Sequence, residues 1–558
     1  MSSIAVASSA AATPAERRLA SWWPLAALIV LAAALRLATL DLQSFWYDEA
    51  FTPVHVLHDG LGATLRAVVH HENTPPLWYL LAWVDARLFG DGALALRLPS
   101  ALAGVLSVPV VWAIAQQLAG RRAALVAAAI VAVNPLFVWY SQEARAYGLF
   151  VLMSALAMLC FVRALDDPTR GRLAAFALAG ALALLTHYFA VFLLVPMALW
   201  LLLDGRARRA TLLALGALAA VGLALLPLIS AQGGHGTQWI GRWALSSRLQ
   251  AIPQYFLTGY SGAPLGRGVE LLVALPILAG LALGAWRLFG QSGPVASGGV
   301  AEAGPQGGGE AGIWPDPPPA SRLRRAAWIA LSIVGFGALA PIVLAVFGAD
   351  YLAPRNLVGA MVPLCVLIAV LLAAIDVRGS GRRGWAPGGA GIGAALAATI
   401  VAVFTILTVD VNLSPRLQRG NWRDVARTLG PAPADGARAI TTVELGAAPL
   451  EYYLPPLHNL ARRSSVLVSE IDETGYAPLR RSAGLPPAAG FRLVARGDVD
   501  GLIVYRFVSS MPRLVSEAEL RRHVITLAHP EVLVPSRDKT SANAATTGSP
   551  EFGNVVVR

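Results

Sequence analysis

Eleven apolar stretches set the terms for this chain, at residues 22–40, 93–119, 123–139, 147–163, 173–186, 188–203, 211–230, 266–286, 326–347, 355–376 and 390–409. A helix rises 1.5 Å per residue, so about 20 apolar residues cross the ~30 Å hydrocarbon core of a bilayer. A succession of such runs indicates a polytopic α-helical membrane protein. Charge content agrees, because only 14% of the 558 residues are charged, against about a quarter in soluble domains. The first run exceeds the ~7–15 residues of a signal-peptide core and further spans follow it, so it is read as a span after a cytoplasmic tail at 1–20.

The formal charge of +11 does not imply nucleic acid, because arginines in the short loops of polytopic proteins give the same excess. Cys160 and Cys365 both lie in apolar runs, which excludes a disulfide framework and a cysteine metal site. The arginine clusters fix a topology. Residues 75–90 are apolar but short and carry Asp85 and Arg87, each costing ~2.5–3.5 kcal/mol at mid-bilayer. If this segment lies along the surface, then Arg121-Arg122, the Arg163/Arg170/Arg172 loop, Arg206-Arg208-Arg209, Arg287, Arg322-Arg324-Arg325 and Arg378-Arg382-Arg383 all fall on the cytoplasmic side. The expected arrangement is therefore eleven spans, N-terminus inside. The outer face then receives residues 41–92, 140–146, the turn at His187, 231–265 and 349–354. Residues 289–325, rich in Gly and Pro, read as a flexible cytoplasmic linker. After residue 410 strand-like and helix-like runs alternate, which predicts a small extracytoplasmic α/β domain over 411–535, with a polar, disordered tail at 536–558.

The outer loops hold the residue types that carry chemistry. Asp48 and Glu49 follow the first span closely, behind Trp46 and Tyr47, and a carboxylate near the head groups can act as a base on a hydroxyl or amine. Solvated loop acids and an interfacial aromatic belt are the plain alternatives. Next come His71, Glu72 and Asn73, with Pro75-Pro76 fixing the entry to the juxtamembrane helix. His71 and Glu72 have metal-ligand chemistry, but neighbouring side chains on a helix diverge, so a divalent metal is allowed and not favoured. The turn containing Tyr140, Gln142, Glu143, Arg145 and Tyr147 offers a guanidinium suited to bidentate phosphate contact, or an internal Glu143–Arg145 pair. Arg355 sits at the outer end of a span, where an ionisable group is a functional candidate by default.

In this order the motifs resemble the membrane glycosyltransferases of the GT-C fold, in particular the protein O-mannosyltransferase and aminoarabinose-transferase-like group of glycosyltransferase family 39. The matching stretches are Trp46-Tyr47-Asp48-Glu49, Glu72-Asn73-Thr74-Pro75-Pro76-Leu77 and Tyr140 through Tyr147. Weaker ones are Tyr351-Leu352-Ala353-Pro354-Arg355 and Asn421-Trp422-Arg423-Asp424-Val425. The resemblance implies a GT-C-like membrane domain over 21–410 and inverting transfer of a sugar from a polyprenyl-phosphate donor to a protein, polysaccharide or lipid acceptor at the outer face. It implies no nucleotide sugar, and the chain shows neither a Gly-rich dinucleotide fingerprint nor a Walker loop. The base lies between Asp48 and Glu49, with Asp48 assigned the role and Glu49 the part of a coupled neighbour that raises its pKa. Arg145, with Arg355 second, would stabilise the leaving phosphate, and Trp46, Tyr47, His71, Glu72, Asn73, Pro75, Pro76, Tyr140, Gln142, Glu143, Tyr147 and His187 would line the substrate site. No cofactor is assigned and no nucleic acid partner is expected. The Arg-rich, Lys-poor composition points to the plasma membrane of a high-GC bacterium. The rival classes are a transporter or flippase for lipid-linked sugars, for which no inverted repeat is visible, and a non-catalytic scaffold.

Overall fold

A computed structural model describes residues 14–235, 237–259, 265–290, 318–376, 391–433, 437–523, 525 and 530–535. Most of the linker read at 289–325 and the whole tail read at 536–558 lie outside the described residues. The described chain divides into two compact units, one formed by Met1–Ser44 and Phe51–Arg419 and the other by Phe45–Ala50 and Gly420–Arg558.

The first unit is helical throughout, and all eleven apolar runs fall on helices. Among the described residues seven helical segments are long and apolar enough to cross a membrane: Ala93–Val133, Tyr147–Asp166, Arg208–Gln232, Gly266–Phe289, Ala320–Val346, Pro354–Ile375 and Ile392–Leu413. Trp22–Leu37 and Tyr188–Asp204 are shorter apolar helices. The 41-residue helix Ala93–Val133 breaks at Gly120, whose φ of 81° suits a residue without Cβ. The segment expected along the membrane surface is a helix of 13 residues, Leu77–Phe89, about 20 Å long and too short to span. Its Asp85 is buried with Oδ2 unpartnered among the described residues, and burial pushes its carboxyl pKa up.

Helix breaks in this unit are built by side chains that serve as caps. Asn134 ends the long helix, and its Oδ1 accepts from the backbone N–H groups of Leu136 and Phe137, while Pro135 supplies a helical φ at the first position of the next helix. Its Nδ2 donates to the Phe256 carbonyl at 2.9 Å, tying the break to the Leu245–Thr258 helix. Arg36, near the end of the first apolar run, turns inward and is fully buried. It donates to the carbonyls of Val131 (3.0 Å) and Ala132 (2.8 Å), which the Asn134-Pro135 break leaves without intrahelical partners.

The second unit carries a six-stranded sheet: β1 (Arg438–Val443), β2 (Leu457–Asn459), β3 (Ser465–Tyr476), β4 (Arg492–Val499), β5 (Leu502–Ser516) and β6 (Pro530–Pro535), in the order β2-β6-β1-β3-β5-β4. Only β1 and β3 pair in parallel. Helix Trp422–Leu429 buries Trp422, Val425, Ala426 and Leu429, a spacing that lines one helical face. The Arg438 guanidinium donates to the carbonyls of Leu429 and Gly430 at the helix end while pairing with Glu470. Residues 45–50 belong to this unit: the Phe45 N–H donates to the Tyr453 hydroxyl at 2.8 Å, and the Phe45 ring meets Tyr452 edge-on at 5.0 Å.

One contact of this unit makes a pH prediction. His523 Nδ1 lies 2.7 Å from Glu473 Oε1, and that hydrogen bond raises the histidine pKa above its ordinary 6.5. Burial raises the Glu473 pKa as well. A raised pKa means that the protonated form is favoured by folding, so the stabilisation is complete below the unfolded value and is lost as pH rises through the folded one. Both groups act in the same direction. Protection of the Glu517–Arg522 helix against hydrogen exchange in the intact protein, corrected for intrinsic rates, should fall from pH 6 to pH 8.5, and His523→Phe should flatten that dependence.

Candidate active site

In the first unit the outer-loop motifs converge on a buried ion pair. Glu72 caps the C-terminus of helix Leu61–His71, and Arg145 lies in the turn between helices Pro135–Ser141 and Tyr147–Asp166. The two are joined in a two-point contact, Nη1 to Oε1 at 2.8 Å and Nη2 to Oε2 at 2.9 Å. This planar fork-to-fork geometry is the strongest of the common charge-assisted arrangements. Around it, Thr52 Oγ1 is 3.5 Å from Arg145 Nη1, the Arg145 guanidinium faces the Tyr79 ring at 5.9 Å, and Tyr79 shares a 3.0 Å hydrogen bond with Thr74. Burial holds the Tyr79 phenol well above its usual pKa. The sequence offered Glu143 as an internal partner for Arg145, and the two-point contact goes to Glu72. Glu143 meets Arg419 at 3.2 Å, and Arg419 stacks over Trp139 at 4.2 Å.

The loop after Glu72 is anchored by polar contacts. Gln232 donates to the carbonyls of Val68 and Thr74 at 2.9 and 3.0 Å and accepts from Tyr188 at 2.6 Å. Asn73 donates to the His235 carbonyl at 3.3 Å. Pro75 is buried and Pro76 half-buried at the start of the Leu77–Phe89 helix, whereas His71 is exposed. Gln142 is occupied in structure: its amide donates to the carbonyls of Leu35 and Arg36 and to Thr39.

His187 caps the next break, its Nδ1 accepting from the Phe189 N–H at 3.2 Å. The ring is buried and stacks on Phe150 at 4.6 Å, with Tyr147 at 6.0 Å. Burial, reinforced by the positive charges of Arg355 and Arg145, pushes its pKa down to about 3. The imidazole is therefore neutral at any physiological pH. Tyr147 in turn packs against Tyr140 at 4.8 Å. Arg355 stands in the turn Pro354–Ala360 with its guanidinium 5.9 Å from the Tyr147 ring and 5.0 Å from that of Trp239. The turn can press this close because Gly359 has no side chain: a Cβ there would lie 2.6 Å from the Phe150 ring. One locus thus gathers Glu72, Arg145, Tyr147, His187 and Arg355.

The acidic pair is described in the second unit. Asp48 and Glu49 occupy the first turn of helix Tyr47–Phe51, where carboxylates are favoured by the helix dipole. Asp48 is half-buried and Glu49 fully buried. Tyr47 is half-buried beside them, and the buried Trp46 indole N–H has no hydrogen-bond partner among the described residues. No group of three or more His, Cys, Asp or Glu side chains suited to a metal ion occurs among the described residues.

Sequence reasoning missed Trp239, Arg248, Asp350 and Arg419. Arg248 is buried and holds Asp350 at 2.6 and 2.7 Å, which keeps the Asp350 carboxyl below its usual pKa. A signal for the arginines was present: Arg248 and Arg419 lie in segments assigned to the outer face, against the positive-inside tendency. An arginine that breaks that tendency is one that the fold pairs.

The Glu72–Arg145 pair gives a direct test. Removing one partner leaves a buried charge uncompensated, at about 3–5 kcal/mol, whereas replacing both with apolar residues is often neutral. Arg145→Met should lower the melting temperature in detergent markedly, and Glu72→Met/Arg145→Met should recover most of the loss.

No curated protein sequence matches the chain significantly. Among solved structures, ArnT from Cupriavidus metallidurans bound to undecaprenyl phosphate is similar over 87% of this chain and 98% of its own, at 13% identity and a TM-score of 0.48. The archaeal oligosaccharyltransferase AglB from Archaeoglobus fulgidus is similar over 74% of this chain and 58% of its own, at 15% identity and 0.40. The arabinosyltransferase EmbB from Mycobacterium smegmatis is similar over 75% and 39%, at 15% and 0.36. Asp48, Glu49, Glu72 and Arg355 fall outside the one stretch with a family match. That stretch, residues 73–231, which carries Asn73, the Pro75-Pro76 pair, Arg145 and His187, matches the profile of the dolichyl-phosphate-mannose-protein mannosyltransferase family.

Proposed function

We propose that the protein is a membrane glycosyltransferase that moves a sugar from a polyprenyl-phosphate-linked donor to an acceptor hydroxyl or amine at the outer face of the plasma membrane, with inversion. The observation that carries the reading is the placing of Arg145 and Arg355, 210 residues apart in sequence, about one locus, where the Arg355 guanidinium meets the Tyr147 ring that lies beside the buried His187, with Arg145 inside the family-matched segment. A lipid-linked sugar phosphate presents an anion at the head-group layer, and paired guanidiniums are the usual protein answer to one. Arg145 and Arg355 are the phosphate contacts in this reading, with Arg145 held in place by its two-point contact with Glu72.

In the reaction, Asp48 takes the proton of the acceptor nucleophile, which attacks the anomeric carbon. The bond from that carbon to the phosphate oxygen breaks, and the polyprenyl phosphate leaves with the electron pair. Arg355 and Arg145 stabilise the charge that accumulates on it, an electrostatic contribution that commonly outweighs acid–base terms. Neutral His187 packs against Phe150 and Tyr147 and adds no further positive charge. Glu49 is the neighbouring carboxylate on the same short helix. Because Glu72 is committed to Arg145, the His71–Glu72 pair is not assigned a metal, and transfer is expected to persist in excess chelator.

The test is transfer from a polyprenyl-phosphate sugar in membranes carrying the Asp48→Asn protein. A general base contributes typically 10²–10⁴-fold, so the rate should fall by roughly that factor while the protein remains folded and donor binding is retained. An unchanged rate sinks the assignment of Asp48. Loss of activity in chelator, restored by a divalent ion, would overturn the metal-free reading.

A further inference from the structure

The segment 237–258 grips the turn that carries Arg355 at two independent points. The first is Arg248, on helix Leu245–Thr258. Its guanidinium holds both carboxylate oxygens of Asp350, at 2.6 and 2.7 Å, and donates to the Leu352 carbonyl at 3.0 Å. Asp350 Oδ1 also accepts from the Leu352 N–H at 3.3 Å. The chain from 350 to 352 is thus fixed in both direction and register three residues ahead of Arg355. Asn356 then closes the turn, its side chain donating to the Tyr351 carbonyl at 2.9 Å and its N–H to that of Ala353 at 2.9 Å. The second grip is Trp239, on helix Gln238–Arg242. Its ring stacks on Trp243 at 6.3 Å on one side and meets the Arg355 guanidinium at 5.0 Å. Tyr147 meets the same guanidinium at 5.9 Å.

A buried arginine that satisfies both a carboxylate and a backbone carbonyl is costly to desolvate, and replacing it by apolar packing is often neutral or stabilising. Stability alone therefore gives little reason for Arg248. The geometry points to a different role: we infer that Arg248, acting through Asp350, and Trp239 are positioning residues that hold the Arg355 guanidinium in the orientation that receives the donor phosphate. This rests on the reading above in which Arg355 contacts that phosphate. Phosphate recognition by a planar fork depends on orientation, and small misplacements at such a group cost large factors in rate or binding.

The experiment is steady-state transfer with a polyprenyl-phosphate sugar, varying donor and acceptor separately, for Arg355→Ala, Asp350→Asn, Arg248→Gln, Arg248→Lys, Trp239→Phe and Trp239→Ala. The expected result is a donor KM raised roughly tenfold in Asp350→Asn, Arg248→Gln and Trp239→Ala, with the acceptor KM unmoved, and near wild-type values in Trp239→Phe. Arg248→Lys should recover only part, since an ammonium cannot bridge both oxygens and the carbonyl. Combined with Arg355→Ala, Arg248→Gln should add nothing further, because it acts through a group already removed. Equal losses in the presence and absence of Arg355, or an acceptor KM that moves as far as the donor KM, overturn the inference. Arg355→Ala with an unmoved donor KM overturns the donor-phosphate reading itself. Arg355→Ala with a raised donor KM and Asp350→Asn without one overturns the brace alone. If the Arg248 or Asp350 variants fail to fold in detergent, the comparison of Trp239→Phe with Trp239→Ala decides the question.

Discussion

A guanidinium that cannot reach water must find its hydrogen-bond acceptors inside the protein, and much of the helical unit is arranged around that requirement. Five arginines with buried side chains show how: Arg97 takes the carbonyls of Leu40, Gln43 and Ser44, and the other four reach farther along the chain. Arg36 takes backbone carbonyls released where a helix breaks, Arg145 takes a carboxylate in a two-point contact, Arg248 takes a carboxylate and a carbonyl, and Arg419 takes Glu143 and the face of Trp139. Each solution joins segments far apart in sequence. Because an uncompensated buried charge costs several kcal/mol, these pairings fix which loops meet, and so determine where the functional residues stand.

The same constraint explains why the helices break where they do. A continuous membrane helix satisfies its own backbone and offers nothing to a ligand. At Asn134-Pro135, His187 and Pro354 the chain stops being a regular helix, and each time a side chain or a proline takes over the capping. Two of the three breaks adjoin Tyr147, His187 and Arg355. The freed carbonyls at Val131 and Ala132 are consumed by Arg36, which therefore stabilises the break rather than the lipid interface. Its inward turn is the clearest departure from what its sequence position suggests. An arginine near the end of an apolar run reads as a head-group ligand because no single-sequence pattern reveals a carbonyl 95 residues away.

The helices themselves were legible from the apolar runs, and the 13-residue helix after Pro76 was legible from its length and its two charges. The motifs Glu72-Asn73 and Tyr140 through Tyr147 stand out in the sequence as candidate site segments. Their internal pairing does not, because Glu143 is nearer to Arg145 in sequence while the helix geometry delivers Glu72 to it. In the C-terminal unit Glu470, Asp472 and Glu473 look like loop acids in the sequence. In the fold they continue β3, opposite Arg438, Arg506 and His523. Charged residues inside a strand are affordable only when their partners are known, and those partners sit on β1, on β5 and beyond the last helix.

The arginines therefore sort into two populations by what surrounds them, and the distinction bears on function. Those in short clusters, such as Arg121-Arg122 and Arg322-Arg324-Arg325, match the charge rule of membrane insertion as the sequence assigns them, and Arg322 and Arg324 also cap helix ends by donating to the carbonyls of Gln117, Leu118 and Leu288. The isolated ones at 145, 248, 355 and 419 lie in loops assigned to the opposite face, where insertion gives no reason for a positive charge. An isolated arginine there must be retained for pairing or for binding. Arg248 and Arg419 are paired in ways that order a loop, and Arg145 is paired with Glu72. Arg355 packs against the faces of Tyr147 and Trp239, so that rings from two segments far apart in sequence bear on the plane of one guanidinium.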